Sequence, residues 1–350
     1  MAFSFTSPAA MNGSAVVAKM QGVAVNSSGL FVAVGYDSTN HPVFATSSDG
    51  STWTTPALMN GSTTVAFMKA ITVNSSGLFV AIGTDVNSAP VYATSANGST
   101  WTTPAFVNGS TVIAFMQSIT VNSSGLFVLV GFDNSNFPIF ATSSNGSTWT
   151  TPAAMNGSAV VANMRWITVN SSGLFVAVGN DSTNRPVFAT SSNGSTWTTP
   201  ALMNGSTTAA LMRSACVNNT SGLFVAVGYD ASSFPLYATS SNGSTWTTPA
   251  AMNGSAVVAK MQGITFSSGL FVSVGFDNTN NAIYATSSDG STWTTPALMN
   301  NISTSGEMFS IAVNGSALFS SVGYSATNIP VYAVGKSGSI TTTTFMMMGV

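Results

Sequence analysis

The stretch SSDGSTWTTPALMNGS, Ser47 to Ser62, decides the fold because it is repeated. Close copies start at Ser95, Ser143, Ser191, Ser240 and Ser287. Trp53, Trp101, Trp149 and Trp197 are spaced 48 residues apart, Trp246 follows after 49 and Trp293 after 47. The one-residue changes fall in Asn218-Asn219-Thr220-Ser221-Gly222 and Phe266-Ser267-Ser268-Gly269, as expected of a surface turn between fixed elements. A second marker, LFVAVGYD from Leu30, recurs from Leu78, Leu126, Leu174, Leu223, Leu270 and, degenerate, Leu318, which makes seven units. A fixed period of this size marks a repeat architecture and outranks other signals.

In the first unit four segments, near 20–25, 30–35, 42–46 and 52–56, are rich in Val, Phe, Tyr, Trp and Thr. Gly, Asn, Asp, Ser or Pro bound each one, the pattern of short strands. Seven four-stranded units predict an all-β fold, a single seven-bladed β-propeller over residues 1–350. Phe5 lies 48 residues before Trp53, so residues 1–10 are in register with a fourth strand and can close the ring on the last unit. Residues 338–342 share that register, which leaves two candidates for one position, within a degenerate tail spanning 336–350.

The segment S-x-D-G-S-T-W at Ser47–Trp53 and Ser287–Trp293 resembles the Asp-box, or BNR, repeat of sialidase-like propellers. Asn97, Asn145, Asn193 and Asn242 replace the Asp in four copies, and the last unit lacks the box. The resemblance implies that Asp49, Asp289 and these asparagines close the hairpin between strands three and four. It also implies that Trp53, Trp101, Trp149, Trp197, Trp246 and Trp293 pack between blades. Physical reasoning agrees, since a short polar side chain satisfies a tight turn and a Trp buries a large area.

Sialidases of this type need three arginines, a Tyr–Glu pair and an acidic Asp. Here Arg165 and Arg213 share one repeat position, Arg185 lies elsewhere, and the sole glutamate, Glu307, falls in the most degenerate unit. Glycoside hydrolysis generally needs two carboxylates in unlike environments, so a non-catalytic member is expected. Cys216 stands where other units carry Ala or Thr, and the one histidine, His41, is in a predicted loop. Neither suggests a nucleophile, and no cofactor or metal set is apparent.

Charged residues make up 5% of the chain, net charge is −2, pI about 5.0 and mean hydropathy +0.34. Seven scattered Lys and Arg argue against nucleic acid. No apolar run approaches bilayer length, and MAFSFTSPAAMNGS has no Sec-type pattern. Membrane insertion is therefore not expected, and a virion or surface location by a non-Sec route, or else the cytoplasm, is.

Variation concentrates in the loops between strands two and three, placed on the upper face opposite the boxes. Asp37, Asp85, Asp133, Asp181, Asp230 and Asp277 recur there, next to Tyr36, Phe132, Tyr229 or Phe276 in four units. Asp with Asn or Ser three residues on suits an Asx turn, and it also suits a sugar site with an aromatic face. The spacing is not that of a calcium loop. The Asn-Gly-Ser sequons read as turn chemistry.

A second irregular position opens the inner strand: Gln21, Lys69, Gln117, Arg165, Arg213, Gln262 and Phe309, followed by Trp166 in one unit only. It is expected to ring one mouth of the central channel, with Trp166 as a plug or contact. Two functions fit the whole. One is lectin-like recognition of neutral glycans through repeated shallow sites. The other is a structural component of a phage or virus particle making protein contacts, with Met59, Met155, Met203, Met252 and Met299 forming an apolar ring if exposed and ordinary core if buried under their loop.

Overall fold

The second strand of each unit explains the architecture. Phe31, Val32, Ala33 and Val34 are all fully buried, so the strand reads as a continuous apolar run because both faces of the sheet are covered. Phe31 and Ala33 pack with Met20 and Trp53, while Val32 and Val34 pack with Met68, Phe79 and Trp101 of the next unit. The core therefore lies between sheets, repeated around a ring.

A computed structural model describes residues 3–337, apart from 14–15, 110–112, 158–159, 207–208, 255–256 and 302–305. In the first unit the strands are Ala18–Val25, Phe31–Asp37, Pro42–Ser47 and Ala57–Leu58, antiparallel in that order from the axis outward. Five further sheets repeat this pattern, and the inner strands of successive sheets touch around a closed ring. The protein is a seven-bladed β-propeller.

The N-terminus closes it. Phe3–Phe5 pairs with the strand Pro330–Ser337 in the register Phe3↔Ser337 and Phe5↔Gly335, and Ala9–Ala10 continues along the same strand. Phe5, 3% exposed, takes the place that Trp53 holds in the first blade. Thr6 N–H donates to Val334 O (2.8 Å), as Thr54 does to Thr46 O (2.9 Å). Asn300 bonds Ser7 across the seam as Asn60 bonds Thr103 between ordinary blades. The rival segment, 338–342, lies outside the described residues. The third strand of the last blade runs to Ser337, two residues into the expected tail.

One expectation needs correction. The outer strand, placed at 52–56, pairs regularly only at Ala57–Leu58. Pro56 has no N–H to give, and Thr54 Oγ1 accepts from Thr46 N (2.9 Å), so a hydroxyl replaces a ladder bond. For the methionines after that strand, the structure selects ordinary core over a surface ring. Met11, Met59, Met155, Met203, Met252 and Met299, with Val107, are fully buried beneath a single 3₁₀ turn.

Candidate functional site

The upper loops were the first candidates, and they are self-satisfied. Asp37 Oδ1 accepts from the backbone N–H of Thr39 (2.8 Å) and His41 (2.9 Å). Asp85, Asp133, Asp181, Asp230 and Asp277 do the same to the residues two and four further on. Ser325 stands in for them in the last blade, accepting from Ile329 N. Burial raises the carboxyls of Asp37, Asp181 and Asp277, but these hydrogen bonds outweigh it and hold them below the ordinary value. Arg185 adds an ion pair to Asp181 (2.6 Å). Each loop also ties to the next blade, as in Ala66 N–H to Asn40 O (2.9 Å). The six aspartates are thus spread around the ring as turn builders and do not meet.

What does converge lies nearer the axis. In every blade the inner strand carries a bulge: Met20 opposes Gly35 and Gly22 opposes Val34, so residue 21 is unpaired. The other six blades bulge at the equivalent step. Glycine is required opposite, because a Cβ on Gly35 would lie 1.9 Å from Lys19 O. Up to the bulge the strand alternates, with Ala18 and Met20 buried in the blade and Lys19 and Gln21 half-exposed. Tyr36 sits opposite Lys19.

These three positions, repeated seven times, form a collar around the upper mouth of the channel. The first carries Lys19, Phe67, Phe115, Asn163, Leu211, Lys260 and Glu307. The second is the bulge series from Gln21 to Phe309. The third carries Tyr36, Thr84, Phe132, Asn180, Tyr229, Phe276 and Tyr324. Contacts pass from blade to blade: Tyr36 to Phe67 (5.2 Å between rings), Phe132 to Arg165 (5.0 Å), Tyr229 to Lys260 (5.8 Å) and Tyr324 to Lys19 (5.2 Å). By contrast, the core positions of Met20, Phe31 and Gly35 hold the same residue type in all seven units.

The collar concentrates charge. Lys19, Lys69, Arg165, Arg213 and Lys260 are five of the chain's seven basic side chains, against one carboxylate, Glu307. Among the described residues the ion pairs are Arg185–Asp181 and His41–Asp37, both outside it. Burial, then the charge of Arg165, lowers the Lys69 ammonium, and burial, then Arg213, pushes Arg165 down to about 10. Burial, followed by the charge of Glu307, raises the Tyr324 hydroxyl.

Four buried side-chain polar atoms among the described residues lack a hydrogen-bond partner: Asn163 Oδ1, Arg165 Nε, Asn180 Oδ1 and Arg213 Nε. All four belong to the collar, in the adjacent fourth and fifth blades. Buried polar groups are normally paired, and leaving one unpaired costs about 1–3 kcal/mol. Asn180 is 3% exposed, and its Nδ2 donates to Asp181 O (3.1 Å), so the atom left without a partner is Oδ1.

Below the collar a cavity of about 60 Å³ in the channel is lined by Trp166 with Lys69, Ser118 and Ile311 from other blades. A larger cleft, about 220 Å³, opens between Tyr36, Phe67, Lys69, Thr84 and Phe115. A larger concavity, about 580 Å³, lies at the outer seam around Thr6, Tyr332 and Lys336. It holds none of the orphaned atoms, and those decide the site.

On the lower face Asp49 Oδ1 accepts from Ser51 N (2.8 Å) and Thr52 N (2.6 Å), and Asn97, Asn145, Asn193, Asn242 and Asp289 hold their turns likewise. Each of the six box tryptophans is 3% exposed, and its Nε1–H donates to the turn glycine's carbonyl, as Trp149 does to Gly146 O (3.2 Å). They pack on an aromatic of the preceding blade, Trp149 on Tyr92 (5.9 Å) and Trp101 on Phe44 (6.0 Å).

Sequence reasoning placed the bulge series at a mouth and singled out Tyr36, Phe132, Tyr229 and Phe276. It missed Asn163, Thr84 and Asn180, and the position of Lys19. Comparing the units residue by residue exposes all three collar positions, because they vary where their neighbours do not.

No protein-family model matches the sequence, and no curated relative does. Solved structures share the fold. The BP39L lectin from Burkholderia pseudomallei superposes with a TM-score of 0.68 at 13% identity, covering 91% of this chain and 96% of that one. YCF48 bound to D1 peptide gives 0.64 at 12%, covering 96% and 97%. An ulvan lyase, a polysaccharide lyase bound to a GlcA-Rha saccharide, gives 0.61 at 12%, covering 96% and 94%.

Proposed function

We propose that this chain is a non-catalytic, lectin-like binding propeller whose ligand occupies the axial mouth of the upper face. The observation that carries the reading is the convergence of the variable positions. Seven units kept alike in their cores differ at three positions each, and the fold gathers those positions into one collar. A scaffold role alone gives no reason for that placement. Propellers of this shape include a lectin, a peptide-bound protein and a saccharide-bound lyase, so binding at such a mouth suits the fold. The non-catalytic part rests on acid content, since Glu307 is the collar's single carboxylate. The S-x-D/N-G-S-T-W turns are read as Asp-box scaffold, given their self-contained hydrogen bonds and buried tryptophans.

This reading moves the ligand from the repeated loops, whose aspartates build their own turns, to one composite site. A glycan array with neutral and acidic sugars tests it. Saturable binding that free sugar competes away, lost in Arg213→Gln and kept in Asp133→Ala, is expected. A blank array refutes it.

A second reading, a particle component making protein contacts, has its own support. Four of the five exposed large apolar residues described, Val17, Val86, Ile113 and Val257, lie on the same upper face. Co-purification of the protein with particles, together with a blank array, would favour it. No helix among the described residues is long and apolar enough to cross a membrane.

A further inference from the structure

We propose that the fourth and fifth blades form an acid-sugar subsite in this mouth, which binds a carboxylate-bearing saccharide unit of the hexuronate kind. The carboxylate takes the Nε–H groups of Arg165 and Arg213, and the sugar hydroxyls donate to Asn163 and Asn180. The proposal rests on the glycan-binding reading above and adds the class of sugar.

Complementarity carries it. The four orphaned atoms are two charged donors and two neutral acceptors, side by side on neighbouring blades. A neutral sugar satisfies the amide oxygens but leaves the guanidinium charge uncompensated. A simple inorganic anion does the reverse. A ring bearing both a carboxylate and hydroxyls answers all four within one rigid unit. Charge-assisted hydrogen bonds are the stronger kind, and Arg presents planar edges suited to carboxylate.

The arginines are already held for the task. Arg213 Nη2 donates to Tyr229 OH, and the Arg165 guanidinium lies 5.0 Å from the Phe132 ring, so the unpartnered Nε edges remain for a ligand. Lys69 faces Arg165 closely enough to feel its charge. Asn180 also replaces the Tyr or Phe that five other blades carry at its position, opening the aromatic collar beside the arginines.

Calorimetric titration with trigalacturonate and with its neutral methyl ester tests the idea, since the ester keeps every hydroxyl and removes the charge. The acid is expected to bind at least about 10-fold more tightly, as one net charge-assisted bond of ~1.4 kcal/mol would give, and to weaken with salt. Arg213→Gln should erase the difference. Asn180→Thr, which copies Thr84 of the second blade and so preserves the fold, should weaken trigalacturonate roughly 5-fold and leave inorganic sulfate binding unchanged. Equal affinity for acid and ester overturns the acid-sugar subsite while the glycan-binding reading survives. Sulfate, or a peptide ending in a free carboxylate, binding as tightly as trigalacturonate overturns the saccharide assignment. Failure of acid, ester and every array glycan brings down the proposed function as well.

Discussion

Replacing Trp149 with alanine removes the largest side chain at the junction of the second and third blades. The indole is 3% exposed, lies 5.9 Å from the Tyr92 ring of the preceding blade and 6.5 Å from Phe127 of its own, and donates to Gly146 O at 3.2 Å. Truncating a buried Trp costs roughly 3–5 kcal/mol through lost contacts and the cavity left behind. The Gly146 carbonyl loses its donor, which adds about 1 kcal/mol. At roughly 2.1 cal/mol/K of unfolding entropy per residue, a 350-residue chain changes its midpoint by about 1.4 °C per kcal/mol. The expected drop is therefore about 6–8 °C by differential scanning calorimetry. Trp149→Phe keeps most of the buried area and loses chiefly the donor, so it should fall by about 1–2 °C. A Trp149→Ala variant melting within about 2 °C of the parent would refute the claim that these tryptophans hold adjacent blades together.

Arg165→Leu should raise the melting temperature by about 1–2 °C while abolishing ligand binding, because it removes a half-buried, unpaired cation repelled by Arg213. A lower melting temperature would mean that the guanidinium has a structural partner. Asp133→Ala should cost about 1 kcal/mol by freeing the Ser135 and Phe137 amides, with binding unchanged. In Asp49, burial raises the carboxyl and the Ser51 and Thr52 amides lower it further, while in Asp289 the Thr292 amide leads; both end well below the ordinary range. A depressed folded pKa contributes stability that is present above the unfolded value near 4 and is lost as pH falls through the folded one. The double variant Asp49→Asn with Asp289→Asn should therefore melt with less pH dependence below about pH 4, lying below the parent at neutral pH and converging with it in acid. Burial pushes the Cys216 thiol up, so Ellman's reagent should react with it only after unfolding; rapid native reaction would contradict its packing against the core beside Val225.

The period of 48 and the seven copies of the LFVAVGYD marker settled the fold class and the blade count from sequence alone, while the in-register Phe5 offered the N-terminus as a closing strand beside 338–342 and the structure pairs Phe3–Phe5 with the last blade. Each of these is a local or strictly periodic signal, and a closed ring turns such a signal directly into architecture. The turn roles of the upper aspartates were legible as one of two options, since an Asx turn and a sugar-binding carboxylate use the same residues at the same spacing. Hydrogen-bond geometry shows the turn role, with Asp133 Oδ1 accepting from its own loop at 2.8 and 2.9 Å.

The outer strand was misplaced, and the burial of the methionines left open, for a different reason. Pro56 and Thr54 look like strand residues in composition, but a ladder needs an N–H that Pro56 lacks. Met59 lies in a polar connection and reveals its burial only when the next blade covers it.

The collar depended most on tertiary structure. Asn163, Asn180, Arg165 and Arg213 come from two blades, and within the fourth blade Asn163 and Asn180 meet only through strand pairing. A bulge turns their neighbours toward the axis, and ring closure brings Lys69 across from them. Sequence fixes which residues differ from unit to unit. Only the closed ring, by giving every inner strand the same axis to face, puts those differences in one place and leaves their polar atoms without partners.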